Sequence, residues 1–328
     1  MKATEILDHI IFVGGPPRSG TTFIAKSLNL HPAFVAAIDD HVYECWGLYY
    51  NRERTGLVQE LRSRLLCPED AQKILKNHLF ADDQMVGAAP SDKTKDFPRV
   101  AKNMTLFPSA VRSILDNDLV RHSIPLSQFS ANWRLCLKSP EISFVLPQLA
   151  SHFPVAKFVL IYRPIIEIAE SMFRLGNMVK RFPVYHRRWV GEKSEDGKFI
   201  PPPGVPPEWN KLWYRVSDFQ RCVIYAASYL RGLLEGVNEL ACDRYFVYNH
   251  ADLRKAPRQI FQSLARFLYV EVSGFQMSEA NIKADKPLIE LQLEKEYSAI
   301  EAELALKKIT HKIESLNGPI RKLKKIKG

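Results

Sequence analysis

The sequence has few cysteines, and none of them is spaced for a metal site or a disulfide framework. Its 328 residues contain five cysteines, an odd number with no C-x-x-C pair. The five are Cys45, Cys67, Cys136, Cys222 and Cys242. This usage favours reduced thiols in a cytoplasmic protein, and it predicts neither a structural zinc site nor a disulfide-stabilised fold.

Long hydrophobic runs and repeats are also missing. No stretch approaches the ~20 apolar residues of a membrane span. Residues 1–8 include acidic side chains and lead almost directly into the first predicted strand, which leaves no room for a signal peptide. We therefore predict a cytoplasmic protein without stable membrane insertion.

The overall composition is that of a globular protein with a basic surface. Hydrophobic residues make up 46% of the chain and charged residues 25%, which excludes a disordered or fibrous class. The formal net charge of +10 favours anionic ligands or surfaces without identifying one. We predict a single domain over residues 1–328.

The clearest local signal is a glycine-rich turn near the N-terminus. The apolar run at 9–13 predicts a short buried strand, and the spacing at 23–28 predicts a helix. A turn between a strand and a helix directs free backbone N–H groups at one point, where the helix dipole adds positive potential. This stretch therefore predicts a site for a phosphate-like anion.

The turn lacks the lysine of the nucleoside-triphosphate loop G-x-x-x-x-G-K-[ST]. Gly15 and Gly20 have the right spacing and Thr22 occupies the hydroxyl position, but Thr21 stands where lysine belongs. Arg18, inside the loop, supplies the positive charge instead. An ATPase or kinase is therefore a poor interpretation, whereas a tetrahedral oxyanion still fits.

Polar side chains follow three further predicted strands at the point where each one ends. These strands span 33–38, 133–137 and 156–162. An acidic cluster at 39–44 follows the first, Lys138 follows the second, and Arg163 follows the third. In parallel sheets such positions share the ligand-facing edge. Arg163 and Ser171, eight residues later, could hold a second anion, although strand-end cations are also found as solvated residues or salt-bridge partners.

The remaining chain predicts an α/β fold with three layers: a mainly parallel central sheet, a P-loop-like strand–loop–helix, and flanking helices. Further helices are predicted over 142–153, 209–240 and 256–268, and a strand over 245–248. We expect a helical insertion over 46–130 and a lid or acceptor-contact loop over 175–208. Residues 288–328 predict an amphipathic helix followed by a basic tail.

Taken in order, these motifs resemble the sulfotransferases that use 3′-phosphoadenosine 5′-phosphosulfate (PAPS). The resemblance is carried by residues 17–22, the segment 137–140, Arg163 with Ser171, and His31-Pro32. It spans roughly residues 9–175 and again 244–268. It is nearer to the tyrosylprotein and bacterial branch than to the classical cytosolic branch, whose loop has lysine where Arg18 stands.

The resemblance implies roles for individual residues. The loop would cradle the 5′-phosphosulfate through Arg18, Ser19, Gly20, Thr21 and Thr22. Arg163 and Ser171 would bind the 3′-phosphate. The segment 247–253 resembles the family's Tyr-Glu-Asp-Leu, with His250 in the place of the tyrosine and Tyr248 two residues away. Either of these two could contact the nucleotide, and Trp209 or Trp213 could stack on adenine.

The family's general base is a glutamate about twenty residues after the loop arginine. Asp39 has that spacing, while Asp40, His41 and Glu44 are near enough to take the role after a short insertion. Asp39 and Asp40 are the preferred candidates, with Arg18 and Lys138 as the cations that stabilise the developing charge. The family needs no metal, and none is predicted.

We therefore expect an enzyme of EC 2.8.2 type that transfers a sulfuryl group from PAPS to a hydroxyl or amine of a small molecule. The acceptor would be a metabolite or natural product, with no nucleic-acid partner. The helix at 288–316 is a candidate surface for a homodimer. The alternatives are a P-loop kinase or NTPase acting on a small molecule, and a non-enzymatic protein that binds nucleic acid or membrane through its basic segments.

Overall fold

A seven-stranded sheet forms the centre of the protein. The computed structural model describes residues 9–38, 84–88, 122–125, 131–174, 201, 204–275 and 291–316. The strands are β1 (Ile11–Gly14), β2 (Phe34–Ile38), β3 (Gln84–Ala88), β4 (His122–Pro125), β5 (Arg134–Lys138), β6 (Lys157–Tyr162) and β7 (Tyr245–Asn249). Their order across the sheet is β4-β3-β2-β5-β1-β6-β7, which places β1 between β5 and β6.

Helices cover both faces of this sheet. They are α1 (Thr21–Leu30), α2 (Leu146–His152), α3 (Ile165–Arg174), α4 (Asn210–Trp213), α5 (Asp218–Val237), α6 (His250–Lys255), α7 (Pro257–Leu268), α8 (Leu291–Glu303) and α9 (Leu306–Ser315). Short 3₁₀ turns occupy Pro140–Phe144, Pro207–Trp209 and Val272–Gly274. In the part of the chain that is described, no helix is long and apolar enough to cross a lipid bilayer.

Alternation along the central strands produces two separate hydrophobic cores. Ile10 and Phe12 of the β1 segment belong to one core, which includes residues of α3 and α5. Ile11 and Val13 belong to the other, beneath α1 and α7. Because successive side chains of a strand point to opposite faces, a continuous apolar run such as 10–13 is buried on both sides. The α/β, three-layer prediction is thereby confirmed.

The sheet is parallel where it holds the site and antiparallel at one edge. Strands β2, β5, β1, β6 and β7 are parallel neighbours, whereas β3 pairs antiparallel with β2 and β4 pairs antiparallel with β3. The expectation of a helical insertion over 46–130 is corrected at β3 and β4, which extend the sheet. A short apolar stretch around Met85 is compatible with either element, and here the edge of β2 supplies hydrogen-bond partners for a strand.

Three predicted helices are interrupted. The one over 142–153 is a 3₁₀ turn followed by α2, whose second residue is Pro147; proline has no N–H for a continuing helix and favours a helix start. The one over 209–240 divides before α5, where Ser217 and Gln220 form a capping box. The one over 288–316 divides at Ala305, whose φ is 51°. The prediction of α7 is confirmed.

The loop after β1 passes very close to β6. Gly15 has φ 136°, and a Cβ added to it would lie 2.0 Å from the carbonyl oxygen of Ile161. Only glycine lets the two backbones approach this closely while adopting such a φ. Gly15 therefore fixes where the loop leaves the sheet.

We expect Gly15→Ala to lower the free energy of unfolding by at least about 2 kcal/mol, because a methyl group cannot be placed without moving the backbone. Urea denaturation followed by circular dichroism measures the change. Lys26→Ala, on the exposed side of α1, is the matched control and should stay within about 0.5 kcal/mol of the wild type. Equal midpoints for the two variants would contradict the argument.

Candidate active site

The predicted anion-binding loop lies between β1 and α1 and leaves the helix N-terminus open. Gly20 precedes α1 with φ 95°, and no side chain caps the helix there. Thr21 and Thr22 are its first two residues, and the first helical hydrogen bond runs from the Ile24 N–H to the Gly20 carbonyl. The N–H groups before Ile24 therefore remain uncapped by a side chain, as in a site built for an anion.

Ser19 shapes this loop from within. Its hydroxyl donates to the Pro16 carbonyl at 2.6 Å, and its backbone N–H donates to the same oxygen at 3.2 Å. The side chain is completely buried. Ser19, which the resemblance assigned to the cradle for the phosphosulfate, thus holds the turn closed in this structure, and its part in that cradle stays a prediction.

Arg18 connects the loop to the β6–α3 junction. It has the left-handed φ of 68°, an uncommon conformation for a residue with a side chain. Its Nε donates to the hydroxyl of Ser171 at 3.2 Å, and its carbonyl accepts from Nη1 of Arg163 at 3.4 Å. Ser171 and Arg163, which lie 153 and 145 positions after Arg18 in the sequence, are therefore both in contact with this loop residue.

Positive charge accumulates at this junction. Desolvation lowers the pKa of Arg18, and the neighbouring charge of Arg163 lowers it further. Arg163 in turn donates from Nε to Glu167 at 2.6 Å on the first turn of α3. The two arginines repel each other across the loop, so an anion placed between them would be strongly favoured.

Of the two candidates in the 247–253 segment, His250 lies at the loop and Tyr248 does not. A Cβ added to Gly20 would lie 2.5 Å from Cδ2 of His250, so the imidazole packs directly on the loop backbone. Tyr248 is fully buried in the core beneath α1 and α7. The end of β7 at Asn249 explains the difference, since Tyr248 lies within the strand and faces the core, whereas His250 is the first residue of α6.

The environment keeps His250 neutral. Burial, followed by the charges of Arg163 and Arg254, lowers its pKa to about 4, with Glu167 acting in the opposite direction. Its Nδ1 is buried without a hydrogen-bond partner among the residues that are described. This unpartnered nitrogen lies on a ring that packs against the loop, and it is enclosed by protein in this structure.

Lys138 ends β5 at the same edge of the sheet. Its register partners are Val13, just before the loop, and Ile38, the last residue of β2. The side chain is 3% exposed, and the next residue, Ser139, donates its N–H to the Val13 carbonyl at 3.1 Å. Asp39 and Asp40, the candidate bases, lie outside the described residues, as do His41 and Glu44; the strand that precedes them ends beside Lys138.

The tryptophans proposed to stack on adenine are placed in the core instead. Trp213 is fully buried and Trp209 nearly so, both in the cluster around α5. Their position follows from α4 and the preceding 3₁₀ turn packing against the body of the protein. Within the described ranges there is also no group of three or more His, Cys, Asp or Glu side chains arranged to hold a metal ion.

The sequence also matches a family model. The model described as "Sulfotransferase family" matches residues 11–192, more than half of the chain, and includes the loop, Lys138, Arg163 and Ser171. The chain belongs to the sulfotransferase family. The assignment confirms the resemblance to sulfotransferases and removes the P-loop kinase alternative, while the nearer branch within the family stays a prediction.

Several solved sulfotransferase structures resemble this chain over most of its length. One from Alicyclobacillus acidocaldarius is 13% identical, with 94% of this chain and 95% of that chain covered and a TM-score of 0.48. The sulfotransferase domain from the curacin biosynthetic pathway is 12% identical, with 89% of this chain and 97% of that chain covered and a TM-score of 0.40. One from Mycobacterium tuberculosis H37Rv is 15% identical, with 90% of this chain and 78% of that chain covered and a TM-score of 0.40. No curated protein matches the sequence.

In this sulfotransferase a buried carboxylate supports the end of β5, a feature that the sequence analysis did not identify. Glu141 is 1% exposed and accepts hydrogen bonds from the hydroxyl of Ser139 and, at 2.8 Å, from that of Tyr229 on α5. The Tyr229 hydroxyl also lies 2.9 Å from that of Tyr225. In the sequence, Glu141 directly after Lys138-Ser139-Pro140 is typical of a helix start. Its hydrogen bond from Tyr229 depends on how α5 packs, which only the tertiary structure shows.

We expect Tyr229→Phe to reduce the free energy of unfolding by about 1–3 kcal/mol, because the buried Glu141 carboxylate loses a hydrogen-bond donor. Chemical denaturation measures the loss. Tyr214→Phe removes a hydroxyl from a tyrosine that is 43% exposed and should leave stability within about 0.5 kcal/mol of the wild type. If Tyr229→Phe proved as stable as Tyr214→Phe, the network would not support this end of the sheet.

Proposed function

We propose that this sulfotransferase uses PAPS as its donor and a small-molecule hydroxyl or amine as its acceptor, and that it releases 3′-phosphoadenosine 5′-phosphate (PAP). One observation carries the choice of donor. Arg18 of the loop contacts Ser171 through its side chain and Arg163 through its carbonyl. Two candidate anion sites thus lie side by side, as a nucleotide with phosphates at both ends of the ribose requires.

The residues present fit this nucleotide. The open N-terminus of α1 suits the 5′-phosphosulfate, with Arg18, Gly20, Thr21 and Thr22 around it. Arg163 and Ser171 would hold the 3′-phosphate. The unpartnered Nδ1 of His250 offers a further polar contact. Tyr248 has no place in the proposal because its side chain is enclosed by the core.

When bound, PAPS supplies an activated sulfuryl group whose sulfur–oxygen bond to phosphate breaks as an acceptor oxygen or nitrogen bonds to sulfur. Arg18 and Lys138 stabilise the negative charge that builds up on the phosphate side of that bond. Fixed cations and backbone N–H groups need no reorganisation as this charge develops, so their contribution to the rate is large. A doubly charged metal ion is not part of the proposal.

An acidic side chain in the segment 39–44 completes the proposed machinery. Asp39 or Asp40 would accept the acceptor's proton as its oxygen or nitrogen becomes nucleophilic. The support for this placement is the register of β2, whose last residue, Ile38, is opposite Lys138. The carboxylate would thus act on the attacking acceptor, and Lys138 on the leaving phosphate of the same displacement.

The acceptor class is argued from the predicted cytoplasmic location. A cytoplasmic enzyme meets metabolites and natural products rather than secreted protein tyrosines or matrix polysaccharides. The three cysteines in the described ranges, Cys136, Cys222 and Cys242, are free thiols, which fits such a compartment. The loop at 175–208 is the proposed acceptor contact in a single catalytic domain, and homodimerisation through 288–316 remains part of the proposal.

We expect Arg163→Ala to weaken PAP binding about 10- to 100-fold, because the 3′-phosphate loses a charge-assisted hydrogen bond. Affinity for 5′-AMP, which has no 3′-phosphate, should change less than about threefold. Isothermal titration calorimetry measures both. Arg174→Ala is the matched control, since Arg174 pairs with Glu170 at the far end of the same helix. Undiminished PAP affinity in Arg163→Ala would refute the assignment of the 3′-phosphate.

Lys138→Met keeps the aliphatic volume of the lysine but removes its charge, so we expect PAP release from PAPS to slow by about 10²–10³. Water serves as the acceptor in a single-turnover assay, which makes knowledge of the natural acceptor unnecessary. PAP affinity should remain close to that of the wild type. Lys211→Met, which removes a charge from the short helix α4, is the control, and an unchanged rate in Lys138→Met would exclude Lys138 from the reaction.

A further inference from the structure

The residue that follows Lys138 is held in place by all of its polar groups. Ser139 comes directly after the end of β5 and is 1% exposed. Its N–H donates to the Val13 carbonyl at 3.1 Å, and its carbonyl accepts from the N–H of Ile142 at 3.4 Å. Its hydroxyl donates to Oε2 of Glu141. The peptide group after Lys138 is therefore fixed against β1 on one side and against the 3₁₀ turn at Pro140–Phe144 on the other.

Glu141 connects Ser139 to the middle of α5. Its Oε1 accepts from the hydroxyl of Tyr229 at 2.8 Å, and that hydroxyl lies 2.9 Å from the hydroxyl of Tyr225, one turn earlier on the same helix. A buried carboxylate is unfavourable away from its donors, so the hydroxyls of Ser139 and Tyr229 restrict where the Glu141 carboxylate can lie. The position of α5 therefore constrains Ser139 through Glu141.

Close packing makes this connection stiff. Phe144, in the 3₁₀ turn after β5, packs on the ring of Tyr229 with the two ring centroids 4.4 Å apart. A Cβ added to Gly232 of α5 would lie 2.7 Å from Cδ1 of the same phenylalanine. Because a close-packed interior transmits a displacement instead of absorbing it, a change at Tyr229 will reach the end of β5.

The 3₁₀ turn also contacts the start of the anion-binding loop. A Cβ added to Gly14 would lie 2.9 Å from Cγ2 of Ile142, and Val13, which accepts from Ser139, comes directly before this glycine. One short turn thus sets both where the loop begins and where Lys138 lies. A displacement of about 1 Å between a catalytic group and the reacting atoms can cost about 10²-fold in rate.

We propose that Glu141 is a positioning residue for sulfuryl transfer, and that with Ser139 and Tyr229 it holds Lys138 at the distance from the loop that the reaction requires. The inference rests on the proposed function, in which Lys138 stabilises charge on the leaving phosphate. The Glu141 carboxylate acts through Ser139 and not on the donor. The network therefore contributes to the rate of transfer and not to the affinity for the nucleotide.

Two variants break the network at different hydrogen bonds. Tyr229→Phe removes the donor on α5, and Ser139→Ala removes the donor next to Lys138. For each we expect PAP release from PAPS, in the single-turnover assay with water as acceptor, to slow by about 10- to 100-fold, while PAP affinity measured by calorimetric titration changes less than about threefold. Tyr229→Phe removes a single hydroxyl, and it decides the question if Ser139→Ala does not fold.

The Lys138→Met background separates positioning from a general effect on the fold. If the network acts through the lysine, adding Tyr229→Phe to Lys138→Met should slow PAP release by less than about a further threefold. Ile300→Val is the matched control, since it removes a buried methyl group of α8 from the same hydrophobic core. It weakens the core, yet its rate should stay within about threefold of the wild type below the unfolding midpoint.

Each result counts for or against the inference. If Lys138→Met slows PAP release while Tyr229→Phe and Ser139→Ala do not, the inference is overturned and the proposed role of Lys138 stands. A full additional loss in the Lys138→Met background, or an equal loss of PAP affinity, would also overturn it, because the network would then act on the fold as a whole. If Lys138→Met itself keeps the wild-type rate, the proposed role of the lysine is refuted and the inference with it.

Discussion

The approach of the loop backbone to β6 is the constraint on which the site depends. Gly15 passes so close to the Ile161 carbonyl that a side chain cannot be accommodated. Since Ile161 is two residues before Arg163, the same approach that turns the loop also brings Arg18 to the β6–α3 junction. Two hydrogen bonds follow from this one backbone contact. Arg18 donates to Ser171, and Arg163 donates to the carbonyl of Arg18.

The parallel sheet then concentrates function at one edge. Strands β5, β1, β6 and β7 are neighbours, and each is followed by a residue or loop of the site at its carboxyl end. Two hydrophobic cores hold these strands from both faces, so the polar groups beyond their ends are carried by a rigid framework. Cations from separate elements can thus be held near each other, an arrangement that anion binding stabilises.

Much of the site was predictable because its signals are local. The glycine spacing of the loop, the strand ends at Lys138 and Arg163, and the alternation of the central strands all depend on near neighbours in sequence. Helix interruptions were missed where a local break competes with an apolar pattern, as at Pro147 and Ala305. The strands β3 and β4 were missed because a short apolar stretch becomes a strand only when a sheet edge is there to pair with it.

The sequence by itself determined the resemblance to the sulfotransferases, which its motifs carry, and the α/β class with its strand-end cations, which follow from the period of the apolar residues. Only the tertiary structure decided which side chains meet. It turned His250 rather than Tyr248 towards the loop, used Ser19 to close it, placed Glu141 under Tyr229, and brought Arg254 to Glu167. The physical reason is that such contacts join distant segments, and their geometry is set by the packing of helices on the sheet.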